Sequence, residues 1–269
     1  MHLQGYLDRI QFTGTPRVDL DTLKQIHHQH LLHIPYEDID VQLERTLDFD
    51  LERIFDKFVN QHRGGWCYEM NGLMGWALEE IGFAVMRMSG GVWRESRGDQ
   101  QMGNHLLLEV EVENQKWLAD VGLGDGARYP IPIEVGTHYQ GGLEYALAQV
   151  EDGYWRFKNH HFSNAASFDF KHEAADESLL NKQCAWLQTD PESHFRNILI
   201  AQRFTPDAIE VLLGKVHTTI TPSGKTSREL EDMDELHTCL KSVFGLSVDL
   251  TSIWDRILAA HEQMTQTKE

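Results

Sequence analysis

The chain is poor in cysteine, in cations and in long apolar runs, and each shortage excludes something. Three cysteines among 269 residues, odd in number and far apart, make no disulfide framework, which argues for a reducing, cytoplasmic home. Lys and Arg number 24 against 42 Asp and Glu, a net charge of −18, so neither nucleic acid nor an anionic membrane suits the surface as a whole. No apolar run approaches the ~18 residues of a membrane span, and the polar N-terminus does not read as a signal peptide. Internal repeats and low-complexity tracts are missing too, and only the tail after Ala260 reads as loose. With 41% hydrophobic residues the chain still has enough for a sizeable core, in one large domain or a few small ones.

Residues 1–82 read as helices. Asp19 can cap one that carries Leu20, Leu23, Ile26 and Leu31 and ends at Pro35. His27, His28, His30 and His33 lie within it without an acidic or cysteine partner at a metal-ligand spacing, and read as a polar face. Asp50 can cap a second helix, with Leu51, Ile54, Phe55 and Phe58 at helical steps. A third starts at Cys67, carries Met70, Leu73, Met74, Ala77, Leu78 and Ile81, and stops at Gly82. Gly72 and Gly75 inside it predict close packing against that face.

After Gly82 the pattern alternates. Strands are predicted over 83–89 and 92–93 around Gly90-Gly91, then over 105–112 and 116–121 with a turn between, and over 145–150 and 154–158 through Asp152-Gly153. This middle part reads as an antiparallel sheet or small barrel. The last third mixes a helix capped by Asp176 and stopped near Pro191, strands over 197–202, 209–213 and 216–221, and helices over 233–244 and 250–260. Pro222-Ser-Gly-Lys-Thr226 looks like the end of a phosphate loop, but Thr219 stands where that loop needs glycine, so it reads as a hairpin turn.

One stretch carries a chemical signal: Arg63-Gly-Gly-Trp-Cys-Tyr-Glu-Met-Asn71. A thiol in the first turn of a helix meets unpaired N–H groups and the positive end of the helix dipole, which favour thiolate. A nucleophilic cysteine also needs a base and a group to orient that base. His105 opens one predicted strand and Asp120 closes the next, so antiparallel pairing brings them to the same end of the ribbon. Spacing permits a Cys67-His105-Asp120 triad and equally a structural role for all three. Cys184 and Cys239 sit in helical patterns as core residues. The glycine-rich segment Val121-Gly-Leu-Gly-Asp-Gly126 is either a plain turn or a loop whose amides approach a phosphate.

The Cys67 motif closely resembles that of the arylamine N-acetyltransferases. Ile34-Pro-Tyr-Glu-Asp38 resembles that family's Ile-Pro-Phe-Glu-Asn segment, His105-Leu-Leu-Leu and Asp120-Val-Gly-Leu-Gly124 its histidine and aspartate segments, and Ser193-His-Phe195 and Phe244-Gly-Leu246 its C-terminal landmarks. The resemblance spans nearly the whole chain. It implies an α+β fold with a helical bundle over 1–82, a central antiparallel β-barrel over 83–188 and an α/β lid over 189–269, around a cysteine-protease-like core. It also implies a Cys67-His105-Asp120 triad and acetyl transfer from acetyl-CoA, without a metal, to arylamines, arylhydrazines or N-hydroxyarylamines through an acetyl-cysteine. Gly122, Gly124, Asp125 and Gly126 would contact CoA, and Tyr36, Val92 and Leu123 would line the acceptor pocket. Two residues depart from the family pattern: Asp38 replaces asparagine, and Leu123 replaces a phenylalanine that could stack on an aryl ring. A papain- or transglutaminase-like hydrolase using the same triad is the rival enzyme, and a non-catalytic binding protein the rival outside enzymes.

Overall fold

The structure, a computed structural model, describes residues 1–266. Its N-terminal part holds helices α1 (Leu3–Arg9) and α2 (Leu20–His33), a two-residue strand β1 (Tyr36–Glu37), and helices α3 (Ile39–Gln42), α4 (Leu51–Phe55) and α5 (Cys67–Ile81). The caps fall where side-chain chemistry places them. The Asp19 carboxylate accepts from the Thr22 N–H, Asp50 from Arg53, and Gly82 ends α5 in the left-handed conformation.

The histidine run of α2 departs from expectation. His27 and His30 are buried, so that face is not polar; each ring is instead held by internal hydrogen bonds, His30 Nδ1 lying 2.8 Å from the Tyr6 hydroxyl. Among the described residues no group of three or more His, Cys, Asp or Glu side chains is placed to hold a metal ion. Nor is any helix among them long and apolar enough to cross a membrane.

The central part runs β2 (Ala84–Val92), α6 (Arg94–Arg97), β3 (His105–Val112), β4 (Gln115–Ala119), β5 (Ile131–Pro132), β6 (Gly136–Gln140), β7 (Leu143–Gln149), β8 (Trp155–Lys158) and β9 (Ser167–Phe170). These strands form an eight-stranded antiparallel sheet in the order β5-β4-β3-β2-β9-β8-β7-β6. Its edge strands β5 and β6 are consecutive in the chain, joined by residues 133–135, so the sheet curls into a nearly closed barrel. Strand β2 passes unbroken through Gly90-Gly91, where two strands had been expected. Gly90 pairs with His105 on one side and Phe170 on the other, and a Cβ on it would lie 2.6 Å from the Leu107 side chain. Helix α5 lies against this sheet: a Cβ on Gly75 would meet Leu108 at 3.4 Å, the close packing its helical glycine predicts.

The last part begins with α7 (Glu177–Thr189), capped by Asp176, and α8 (His194–Asn197). Strands β10 (Ile200–Phe204), β11 (Ile209–Leu213), β12 (Val216–Thr221) and β13 (Gly224–Glu229) follow, then α9 (Met233–Cys239) and α10 (Trp254–Gln266). The segment read as a hairpin turn joins β12 to β13. Helix α10 continues beyond Ala260 to Gln266, while residues 267–269 of the tail read as loose lie outside the described residues. A second sheet, β1-β10-β11-β12-β13, takes its edge strand from the N-terminal part, with Tyr36 opposite Gln202 and Glu37 opposite Ala201. Behind it, Leu199, Leu212, Leu236, Leu240, Phe244 and Leu250 form a separate core that seats α9.

Candidate active site

Cys67 is the first residue of α5 and is buried, with 2% of its surface exposed. The approach to it is braced by an internal ion cluster. Arg63 bonds Glu37 and Asp40, while Lys57 bonds Asp40 and Glu69. Glu69, one turn into α5, has Lys57 Nζ at 2.9 and 3.0 Å from its two oxygens. Such a cluster contributes modestly as a whole, yet deleting one partner costs about 3–5 kcal/mol because a buried charge is left alone. The Tyr68 hydroxyl donates to the Gly103 carbonyl at 2.7 Å, which places the neighbouring Asn104 carbonyl 3.9 Å from the Cys67 sulfur.

The β3–β4 register, Leu108 opposite Ala119, carries His105 and Asp120 to the same end of the ribbon. His105 Nε2 lies 2.8 Å from Asp120 Oδ2, which leaves Nδ1 as the ring nitrogen not engaged by the carboxylate. Burial opposes charge on this ring, but the Asp120 carboxylate and Cys67 outweigh it and push the imidazolium up to about 10. Asp120 is likewise buried, yet His105, Asn71 and the Gly122 N–H hold its carboxyl below the usual range.

Three residues that position Asp120 were not read from sequence. Asn71, one turn beyond Cys67, donates to Asp120 Oδ1 and to the Leu106 carbonyl at 2.7 Å each, and accepts from the Val121 N–H at 3.0 Å. Gly122 donates to Asp120 Oδ1 at 2.8 Å, and a Cβ on it would stand 2.7 Å from the Cys67 Cα, so only glycine lets this loop close on the helix start. His27 Nε2 accepts from the Asp120 N–H at 3.2 Å, while its Nδ1 pairs with the Arg128 carbonyl at 3.2 Å. Burial holds this ring neutral, pushing it down to about 4. Asn71 lies inside the cysteine motif, so proximity was its one signal; nothing local in the sequence marks His27.

Cys67 and His105 open onto a cavity of about 400 Å³. Tyr36, Val92, Leu123, Gly122 and Asp125 also line it, while Gly124 and Gly126 do not. Trp93, Asn104, His194, Phe195 and Gln202 complete much of its wall, and no sequence pattern had singled out Trp93, Asn104 or Gln202. Trp93 and Phe195 supply aromatic surface although Leu123 does not. The Asp125 carboxyl is buried and turned towards the 159–165 segment, accepting from the Asn164 N–H at 2.8 Å and from the Asn159 and Asn164 side chains. Burial pushes it up to about 6. Asp38 stays off the cavity wall. Its Oδ1 accepts from the Ile200 N–H at 2.8 Å, and burial pushes the carboxyl well above its usual range, which favours the neutral acid.

A family profile described as N-acetyltransferase matches residues 19–253. The arylamine N-acetyltransferase of Escherichia coli strain K12 is 34% identical over 256 residues, covering 92% of this chain and 89% of that protein.

The chain belongs to the arylamine N-acetyltransferase family.

Within the family, the Salmonella typhimurium LT2 protein named arylamine N-acetyltransferase / N-hydroxyarylamine O-acetyltransferase is 32% identical over 258 residues, covering 92% of this chain and 89% of that one. Among solved members, the Mycobacterium marinum arylamine N-acetyltransferase in complex with CoA superposes with a TM-score of 0.84 at 28% identity, over 96% of this chain and 98% of that one. The same family's Salmonella typhimurium structure also gives 0.84, at 28% identity over 96% and 97%.

Proposed function

We propose that this chain transfers an acetyl group from acetyl-CoA to the nitrogen, or oxygen, of arylamines, arylhydrazines or N-hydroxyarylamines through an acetyl-Cys67 intermediate. The observation that carries the reading is the buried His105–Asp120 pair, 2.8 Å apart, beside a cysteine at a helix start on a cavity wall, with the carboxylate pushing the imidazolium up to about 10. Cys67 reacts as thiolate paired with the His105 imidazolium. The sulfur attacks the thioester carbonyl, and the tetrahedral intermediate collapses with loss of CoA thiolate, which His105 protonates as it leaves. His105, now neutral, takes a proton from the acceptor amine as its nitrogen attacks the acetyl-Cys67 carbonyl. Collapse then releases the acetylated product and restores the ion pair. Asp120 holds the ring in place and stabilises its charge through both steps. One site serves both substrates in turn, so ping-pong kinetics follow.

The loop 122–126 takes the CoA phosphates on backbone N–H groups in this reading, which the free Leu123, Gly124 and Gly126 amides among the described residues support. Tyr36, Val92 and Leu123 receive the acceptor. Segments 1–82, 83–188 and 189–269 act as nucleophile carrier, base carrier and lid, a division supported by a cavity that draws on all three. All three cysteines are free, in keeping with a cytoplasmic setting.

The test mixes the protein with acetyl-CoA and no amine. Mass spectrometry is expected to show one added acetyl group on Cys67, absent from Cys67→Ala; release of free acetate with no stable adduct would favour a thiol hydrolase instead.

A further inference from the structure

Tyr36 and Gln202 stand directly opposite each other in the β1–β10 pair, and opposed residues project to the same face of a sheet. Both line the cavity that Cys67 opens onto, and they are 7% and 5% exposed. Among the described residues neither the phenol hydroxyl nor the carboxamide makes a hydrogen bond within the protein, and neither is sealed away from the cavity. Burial, reinforced by Cys67, Asp38, Asp125 and Asp120, pushes the Tyr36 phenol well above its ordinary range, so it remains a neutral O–H donor. The carboxamide of Gln202 lies against the glycine loop: a Cβ on Gly124 would sit 1.8 Å from its oxygen. A side chain at that position would therefore dislodge it.

Both polar groups reach the cavity, so water or a ligand there must supply their hydrogen bonds, and side by side on one wall they make a polar patch that a ligand can match. Around this pair the wall is largely apolar, formed by Val92, Leu123, Leu187, Phe195, Ile198 and Leu213. Among the described residues the lining includes Asp125 but neither Lys nor Arg. Among the described residues the cation on that wall, the His105 imidazolium, is already paired with Asp120, so a ligand carboxylate would find no unpaired countercharge there. A neutral hydroxyl or carboxamide would satisfy the phenol and the amide together.

We propose that Tyr36 and Gln202 form a hydrogen-bonding station that selects acceptor amines bearing a neutral polar substituent over anionic ones. The proposal rests on the reading that this cavity receives the acceptor. Isothermal titration of the whole protein with aniline, 3- and 4-aminobenzamide and 3- and 4-aminobenzoate measures binding without requiring turnover. The better aminobenzamide is expected to bind about tenfold tighter than aniline, and the aminobenzoates no tighter than aniline. Tyr36→Phe and, separately, Gln202→Leu or Gln202→Met are expected to cut the aminobenzamide-to-aniline ratio about fivefold each, the size of one neutral hydrogen bond. A ratio, unlike an absolute affinity, is not moved by general loosening of the fold. An aminobenzoate binding as tightly as the aminobenzamide, a ratio unchanged in Tyr36→Phe, or no binding of either aminobenzamide would overturn the station. Acetylation of Cys67, followed by mass in the same samples, separates the two ideas: its absence with the binding preference intact removes acetyl transfer and keeps the station.

Discussion

Asp120 accepts hydrogen bonds from His105, Asn71 and the Gly122 N–H, so about three of its four lone-pair directions already face a donor. Asp120→Asn replaces one acceptor oxygen with a donor and sets donor against donor. Single-turnover acetylation is expected to slow about 10⁴-fold, the size seen when an orienting aspartate loses its charge; a rate near wild type would remove Asp120 from the mechanism. Asp38 makes a prediction in the opposite sense. Its folded-state carboxyl is held protonated by burial, whereas the unfolded chain releases the proton above about 4. The contribution of Asp38 to stability is therefore greatest in acid and is lost as pH rises towards its folded-state value. Asp38→Asn keeps the shape without that loss, so its melting temperature should exceed the wild type's at pH 8 and converge with it near pH 4. Residue identity alone gives no sign of this behaviour; burial in the folded chain does.

Element by element, what the chain made legible follows from how local each signal is. Helix α5 was readable from end to end because its apolar spacing, its start at Cys67 and its stop at Gly82 lie within the element itself. Strand β9 escaped notice for a physical reason. All four of its residues are buried, including Asp169, whose carboxylate is held by Arg94 and Arg156, so no alternation survives. Strand β10 starts three residues later than expected, at Ile200, because the single turn of α8 occupies residues up to Asn197. The histidines of α2 misled for a related reason, since partners from distant segments pair them inside the core. His27→Leu tests that placement: it fills similar space but strips the Asp120 N–H of its acceptor. Urea unfolding should show a loss of about 1–3 kcal/mol, with turnover reduced as well. Unchanged turnover would mean that the His27 contact does not steady Asp120.

For the whole molecule, six ordered motifs carry the family resemblance and point to Cys67, His105 and Asp120, while of the cavity wall the resemblance points to Tyr36, Val92 and Leu123 but not to Trp93, Asn104 or Gln202. Tyr36, Trp93, His194 and Gln202 come from four separated segments and meet only in the folded chain. The buried histidines also set how the fold as a whole answers to acid. His27, His160 and His194 are pushed down to about 4 and His30 well below 6.5. Their folded values lie under the unfolded one, so their contribution is full above 6.5 and is lost as pH falls towards 4. Glu69 and Asp125, raised to about 6, and Asp38, raised well above its usual range, run the other way, but the histidines outnumber them. The urea midpoint should thus fall steadily between pH 6.5 and 4. His105, raised to about 10, adds stability that is present below 6.5 and disappears as pH climbs through 10, so the midpoint should decline at that end as well.

The pairing of β1 with β10 has a consequence for synthesis on the ribosome. Residues 36–37 emerge early, yet the strand that completes them is made only at residues 200–204. At ~5–20 residues per second the nascent chain waits roughly ten seconds or more with that backbone edge open and the Ile200–Gln202 part of the cavity wall missing. A chain released before that strand is translated would carry a sticky edge without a working enzyme around it, and should be a prompt target for proteolysis.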